Sequence, residues 1–102
     1  MIKKQFLKTK AKVTFELPDG IEGVEEVYLV GDFNDWNETS HPMEQKKGGK
    51  FTLTLDLALN REYQYRYLVN GRDWHNDWNA DKYLPNPFWG DNSVVSTYPP
   101  TE

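Results

Sequence analysis

The chain has 102 residues, room for one domain with one core, and it contains no cysteine. That absence excludes a disulfide scaffold and a thiolate metal site, and it fits a reducing, cytoplasmic setting. Sixteen acidic and twelve basic residues leave a net charge of −4 with no Lys/Arg stripe, so neither nucleic acid nor an anionic membrane is expected as a partner.

No apolar run approaches the ~20 residues of a membrane span, and Met1 to Lys8 lacks the apolar stretch of a signal peptide. Asn37-Glu38-Thr39 matches a glycosylation sequon, which without a secretion signal is read as incidental. Aromatic residues make up 15% of the chain and include four tryptophans, so their placement is informative.

In chain order the periodicity is that of strands. Ala11, Val13, Phe15 and Leu17 alternate with polar residues and stop at the turn Pro18-Asp19-Gly20. Val27 to Val30 is a short apolar run ending at Gly31, consistent with a strand buried on both faces. Phe51, Leu53, Leu55 and Leu57 alternate again, after the hairpin signal Gly48-Gly49.

A further strand runs from Glu62 to Val69. Alternation sends Tyr63, Tyr65, Tyr67 and Val69 to one face and Gln64, Arg66 and Leu68 to the other. Asn70-Gly71 predicts a type I′ turn into Asp73-Trp74-His75. Asn76 to Asp91 is polar and broken by prolines, Ser93 to Tyr98 is the last strand, and Pro99-Pro100 ends the ladder. No helix is expected. Seven to eight short strands separated by turns predict an all-β, immunoglobulin-like antiparallel sandwich spanning residues 1–102 as one domain.

None of the four tryptophans falls in these alternating positions. Trp36 lies in the polar loop Gly31 to Asn37, Trp74 follows the Asn70-Gly71 turn, and Trp78 and Trp89 lie in the long polar stretch. An indole on a scaffold loop can stack on the apolar C–H face of a sugar ring, while Asn34, Asp35, Asn37, Asn70 and Arg72 offer donors and acceptors for its hydroxyl rim. It can also fold back as a lid on the core, and placement alone leaves both readings open for Trp36 and Trp74. Phe33 is read as a core plug, and Trp78 and Trp89 as structural or undecided.

Val27-Tyr28-Leu29-Val30-Gly31-Asp32-Phe33-Asn34-Asp35-Trp36 resembles the signature V-x-L-x-G-x-F-N-x-W of carbohydrate-binding module family 48, the isoamylase N-terminal or early-set family. Its members include the glycogen-binding domain of the AMP-activated protein kinase β subunit. Tyr65-Arg66-Tyr67-Leu68-Val69-Asn70-Gly71 is similar to that family's Y-K-F-x-V-D-G strand and turn, and Asn92-Ser93-Val94-Val95 to its final strand. The resemblance implies an early-set sandwich that binds α-glucan, polymeric or oligomeric, without cofactor or metal. It implies that Trp36 and Trp74 stack on glucose and that Arg66 and Asn92 bond hydroxyls; Asn70, from the turn, and Trp89 complete the expected carbohydrate-binding set. It also implies partnership with a glucan-processing enzyme, as a sugar-binding module or as an accessory domain with weak or no sugar binding. The pattern departs at Arg66 (Lys in the kinase domain), at the one-residue-longer turn before Trp74, and at Trp89, where the kinase domain has a leucine.

Catalysis is the competing class. Asp32, Asp35, Asp73, Asp77, Asp81 and Asp91 could supply a carboxylate pair, but a thin sandwich offers no cleft around a glycosidic bond, and turn aspartates usually bond their own backbone. His41 and His75 have no ligand-spaced partners. Docking of a protein partner through the aromatics is the third class, since tryptophan and tyrosine also favour protein interfaces.

Overall fold

A computed structural model describes residues 2–86 and 90–100. The strands are β1 (Ile2–Phe6), β2 (Lys10–Glu16), β3 (Val27–Gly31), β4 (Glu44–Gln45), β5 (Phe51–Ala58), β6 (Glu62–Val69), β7 (Asp73–His75), β8 (Lys82–Pro85) and β9 (Asp91–Ser96). One sheet has the order β1-β2-β5-β4 and the other β3-β6-β9-β8, with β7 also paired to β6. All pairings are antiparallel. The result is a two-sheet immunoglobulin-like sandwich, with nine strands among the described residues where seven to eight were expected.

The strands that the periodicity missed are short or lie at edges. In β1 only Ile2 and Phe6 reach the core, because Lys3, Lys4 and Gln5 occupy an exposed edge. Lys4 lies opposite buried Val13, so it occupies an inward-facing register. Its ammonium crosses to the other sheet, 2.8 Å from Asp81 Oδ2 and 3.1 Å from the Ser96 carbonyl. Strand β8 forms inside the proline-punctuated stretch, with Pro85 at its end, where a missing N–H costs the ladder little. The last strand covers Asp91 to Ser96 rather than Ser93 to Tyr98.

The expected alternation packs the interior. Ala11, Val13, Phe15 and Leu17 from the β2 side meet Val27, Leu29, Tyr65, Tyr67, Val69 and Val95 from the other sheet. Phe15 and Tyr65 meet edge to face at 5.0 Å, and Tyr65 and Tyr67 at 5.9 Å. Phe33 is half-buried against Phe15, at 5.6 Å, and plugs the core as expected.

Two tyrosine hydroxyls in the interior need acceptors, and a single carboxylate supplies them. Asp77, 2% exposed, places Oδ2 2.8 Å from the Tyr65 hydroxyl and 2.9 Å from that of Tyr67. The Tyr67 hydroxyl also lies 3.2 Å from the Glu16 carbonyl, the Asp77 amide donates to Ser93 Oγ at 2.8 Å, and Tyr83 donates to the Asp77 carbonyl at 2.6 Å. A buried carboxylate persists only when hydrogen-bonded in this way. The loop of residues 76–81 is thereby held to Tyr65, Tyr67 and Ser93.

Burial, together with the adjacent Asp77 charge, pushes both tyrosines well above the ordinary value near 10. In the unfolded chain they ionise near pH 10, whereas in the native state they stay neutral. Their stabilising contribution is therefore complete below pH 10 and falls as pH rises beyond it. The expected slope is about 1.4 kcal/mol per pH unit for each tyrosine. Urea titrations at stepped alkaline pH should show it, and the slope should halve in Tyr67→Phe; an equal slope in both proteins would contradict the assignment.

Candidate carbohydrate-facing surface

Strand β6 organises the candidate residues. Its outward row is Gln64, Arg66 and Leu68, about 13 Å from end to end at ~3.3 Å per residue. β7 pairs so that Trp74 stands opposite Leu68, and β3 so that Tyr28 does, which gives one outward rung of Tyr28, Leu68 and Trp74. The next rung pairs Val30 with Arg66. The rung at Gln64 pairs it with Val94 of β9. Leu68, Val30 and Val94 face outward and are nonetheless buried, so larger side chains lie over this face. Arg66 extends toward the β8–β9 hairpin: a Cβ added at Gly90 would lie 3.8 Å from its Nη2.

Trp36 is tied to β6 by a different route. At the end of β3, Gly31 passes so close to β6 that a Cβ there would lie 2.5 Å from the Gln64 carbonyl oxygen and 2.9 Å from Tyr65 Cβ. Only glycine permits this approach. The chain then makes a 3₁₀ turn at Asp32–Asn34, followed by two left-handed residues, Asp35 (φ 54°) and Trp36 (φ 56°). Asn34 holds the turn, accepting from Gly31 N at 3.1 Å and donating to the Leu29 carbonyl at 3.0 Å. The Trp36 amide donates to the Gly31 carbonyl at 2.9 Å, and its indole Nε1–H to Asp32 Oδ1 at 2.8 Å.

The two indoles are thus tied to opposite ends of β6, Trp36 through Asp32 to the Gln64 amide and Trp74 beside Leu68. Both are half-buried.

The two asparagines expected at the site both make hydrogen bonds within the protein. Asn92 is 6% exposed, and its amide is engaged within the protein, donating to Gln64 Oε1 and accepting from Asn86 Nδ2, each at 3.1 Å. Asn70 occupies the expected positive-φ turn with Gly71, but its amide staples the 23–26 loop. It accepts from Glu25 N at 2.8 Å and Glu26 N at 3.2 Å, and donates to the Gly23 carbonyl at 2.8 Å. Both amides thus hold neighbouring backbone or side chains in place. Asn34 and Asn37 also fold back, Asn37 Oδ1 accepting from Thr39 N at 2.9 Å.

Trp89 lies outside the described residues. Trp78, read as structural or undecided, is 66% exposed, with Cη2 3.4 Å from where a Cβ on Gly20 would stand. Sequence reasoning placed Gln64 on the side of Arg66 but missed Asp32 as a partner of Trp36 and Tyr28 as a member of the face, which Tyr28 joins only through the β3–β6 register. Among the described residues no group of three or more His, Cys, Asp or Glu could hold a metal ion, and no helix is long and apolar enough to cross a membrane.

A sequence model described as Carbohydrate-binding module 48 (Isoamylase N-terminal domain) matches residues 22–88, which include Trp36, Arg66 and Trp74. The 1,4-alpha-glucan-branching enzyme of Dictyostelium discoideum is 40% identical over 57 residues, 56% of this chain and 8% of that protein. The 1,4-alpha-glucan branching enzyme GlgB of Synechococcus sp. (strain CC9605) is 34% identical over 74 residues, 64% of this chain and 10% of its own length. The 1,4-alpha-glucan-branching enzyme of Saccharomyces cerevisiae is 45% identical over 40 residues, 38% of this chain and 6% of that enzyme. The chain therefore spans a tenth or less of these relatives.

A tryptophan at positive φ costs roughly 1–3 kcal/mol and persists only where its surroundings enforce it. At such a position glycine is favoured over alanine, the reverse of the ordinary preference. Trp36→Gly should accordingly be more stable than Trp36→Ala by about 1 kcal/mol in denaturant melts. The opposite order would show that the left-handed geometry is not retained in solution.

Proposed function

The chain belongs to the carbohydrate-binding module 48 family, and on that premise we propose that it is a non-catalytic module binding α-1,4-glucan such as glycogen, starch or maltooligosaccharides. The observation that carries this reading is the outward row of β6, with a half-buried indole tied to each end of the strand and a guanidinium in the row. Stacked indoles suit the apolar faces of successive glucose rings, and a planar fork of N–H donors suits paired hydroxyls. An α-1,4-glucan is the substrate named in the relatives, which supports this sugar class over other polysaccharides. Contact falls to Trp36, Trp74 and Arg66, with Asn92 and Asn70 holding the surface behind them.

The relatives also support a second reading, an accessory domain that docks on a glucan-processing enzyme and holds sugar weakly or not at all. Retardation of the pure domain in a glycogen or starch affinity gel separates the two, since a purely accessory domain migrates freely.

If both indoles anchor the glucan, Trp36→Ala and Trp74→Ala each cost about 2 kcal/mol of maltoheptaose binding, roughly a 30-fold rise in Kd. Folding stability changes far less than the about 3–5 kcal/mol that truncating a core tryptophan costs. Calorimetric titration paired with thermal melts of the same variants tests this. Unchanged binding with a collapsed Tm would assign the rings to packing and remove the site.

A further inference from the structure

We propose that Asp32 is a positioning residue of this face, clamping the Trp36 indole in the orientation in which it meets a ligand. The inference rests on the glucan-binding reading above and adds a residue that the sequence offered only as a polar turn former or as one of several candidate catalytic carboxylates. Asp32 is exposed, yet both its carboxylate oxygens are engaged. Oδ1 accepts the Trp36 indole N–H at 2.8 Å, and Oδ2 accepts the backbone N–H of Gln64 at 2.7 Å. Both distances are in the range of strong, charge-assisted bonds.

The second bond has a clear origin. The β3–β6 ladder ends at the pair Gly31 and Tyr65, where β3 turns away into the 3₁₀ turn. The next amide on β6, that of Gln64, is left without a strand acceptor, and such a group is satisfied by whatever acceptor lies nearest. Asp32 fills that place, which fixes its carboxylate to the sheet rather than to the loop. The indole is consequently tied to β6 itself, the strand that carries Arg66. Gln64 is in turn bonded through its side chain to buried Asn92, so Trp36, Asp32, Gln64 and Asn92 form one hydrogen-bonded series.

The consequence for binding is entropic. A tryptophan side chain immobilised only when a ligand arrives loses rotamer freedom at that moment, whereas one already clamped does not. The clamp acts through the indole N–H, leaving the ring faces for stacking, so it distinguishes tryptophan from phenylalanine at position 36. Phenylalanine keeps an apolar ring and has no N–H to hold.

The test is a binding cycle with a spectroscopic arm. Asp32→Ala and Asp32→Asn should each weaken maltoheptaose binding about fivefold in the otherwise native protein. In a Trp36→Phe background, followed through the Trp74 indole resonance at high glucan concentration, the same changes should alter binding by less than about twofold. In both single variants the Trp36 Nε1–H resonance should move upfield and exchange faster with water. Equal losses in the two backgrounds, or an unmoved indole resonance, would overturn the proposal by making Asp32 a general structural residue. Should Asp32→Ala not fold, Asp32→Asn preserves one acceptor and decides alone. If the wild-type protein binds no glucan, the glucan reading fails, and the indole resonance still decides whether Asp32 holds the ring.

Discussion

Strand β6 is hydrogen-bonded along both edges, to β3 on one side and to β9 and then β7 on the other, and the rest of the molecule is referenced to it. A strand so placed has two faces in different surroundings, and the period of two decides which side chain meets which. Tyr63, Tyr65, Tyr67 and Val69 enter the core, while Gln64, Arg66 and Leu68 form the outward row. A slip of one residue would exchange the sets, placing a guanidinium in the core and two tyrosine hydroxyls on the surface. The buried rings oppose that slip, because Tyr65 and Tyr67 find their acceptor in Asp77 only in the observed register.

The two faces are therefore coupled through one register. Asp77 lies in the loop after β7, and β7 carries Trp74 against Leu68. The interior carboxylate that satisfies the tyrosines thus also anchors the loop following the strand that presents an outward indole. At the other end of β6 the outward device is local. Gly31 allows close approach to the strand, the 3₁₀ turn leaves a β6 amide open, and Asp32 bridges that amide to the Trp36 indole. One indole is set by strand pairing and the other by a strained loop, so a substitution that disturbs one need not disturb the other.

Membership of the carbohydrate-binding module 48 family fits a division of labour common to binding modules, in which a rigid sheet supplies position and its edges and loops supply contacts. The Trp36 conformation follows that division. Left-handed geometry at a bulky residue has no local justification, so it is held by the Gly31 carbonyl and the Asp32 carboxylate around it.

Much of this was legible in the chain before any coordinates. The alternation from Ala11 to Leu17 and from Tyr63 to Val69, and the turn chemistry at Asn70-Gly71, depend on side-chain period and backbone φ, which are local properties that a sequence displays directly. The outward facing of Arg66 was readable for the same reason, and the motif around Trp36 through its resemblance to the family signature. Edge strands β1 and β8 were not, because an edge bears polar residues on both faces and loses the periodic signal. Nor could the sequence say which polar side chains face solvent. Asn92, Asn70, Asp77 and Asp32 look alike as polar residues in or beside turns, yet one is buried in an amide series, one staples a loop, one satisfies two interior tyrosines and one clamps an indole. Those roles are set by partners distant in the chain, 28 residues for Asn92 and Gln64 and 32 for Asp32 and Gln64, and such pairings come into being only when β3, β6 and β9 assemble side by side in one sheet.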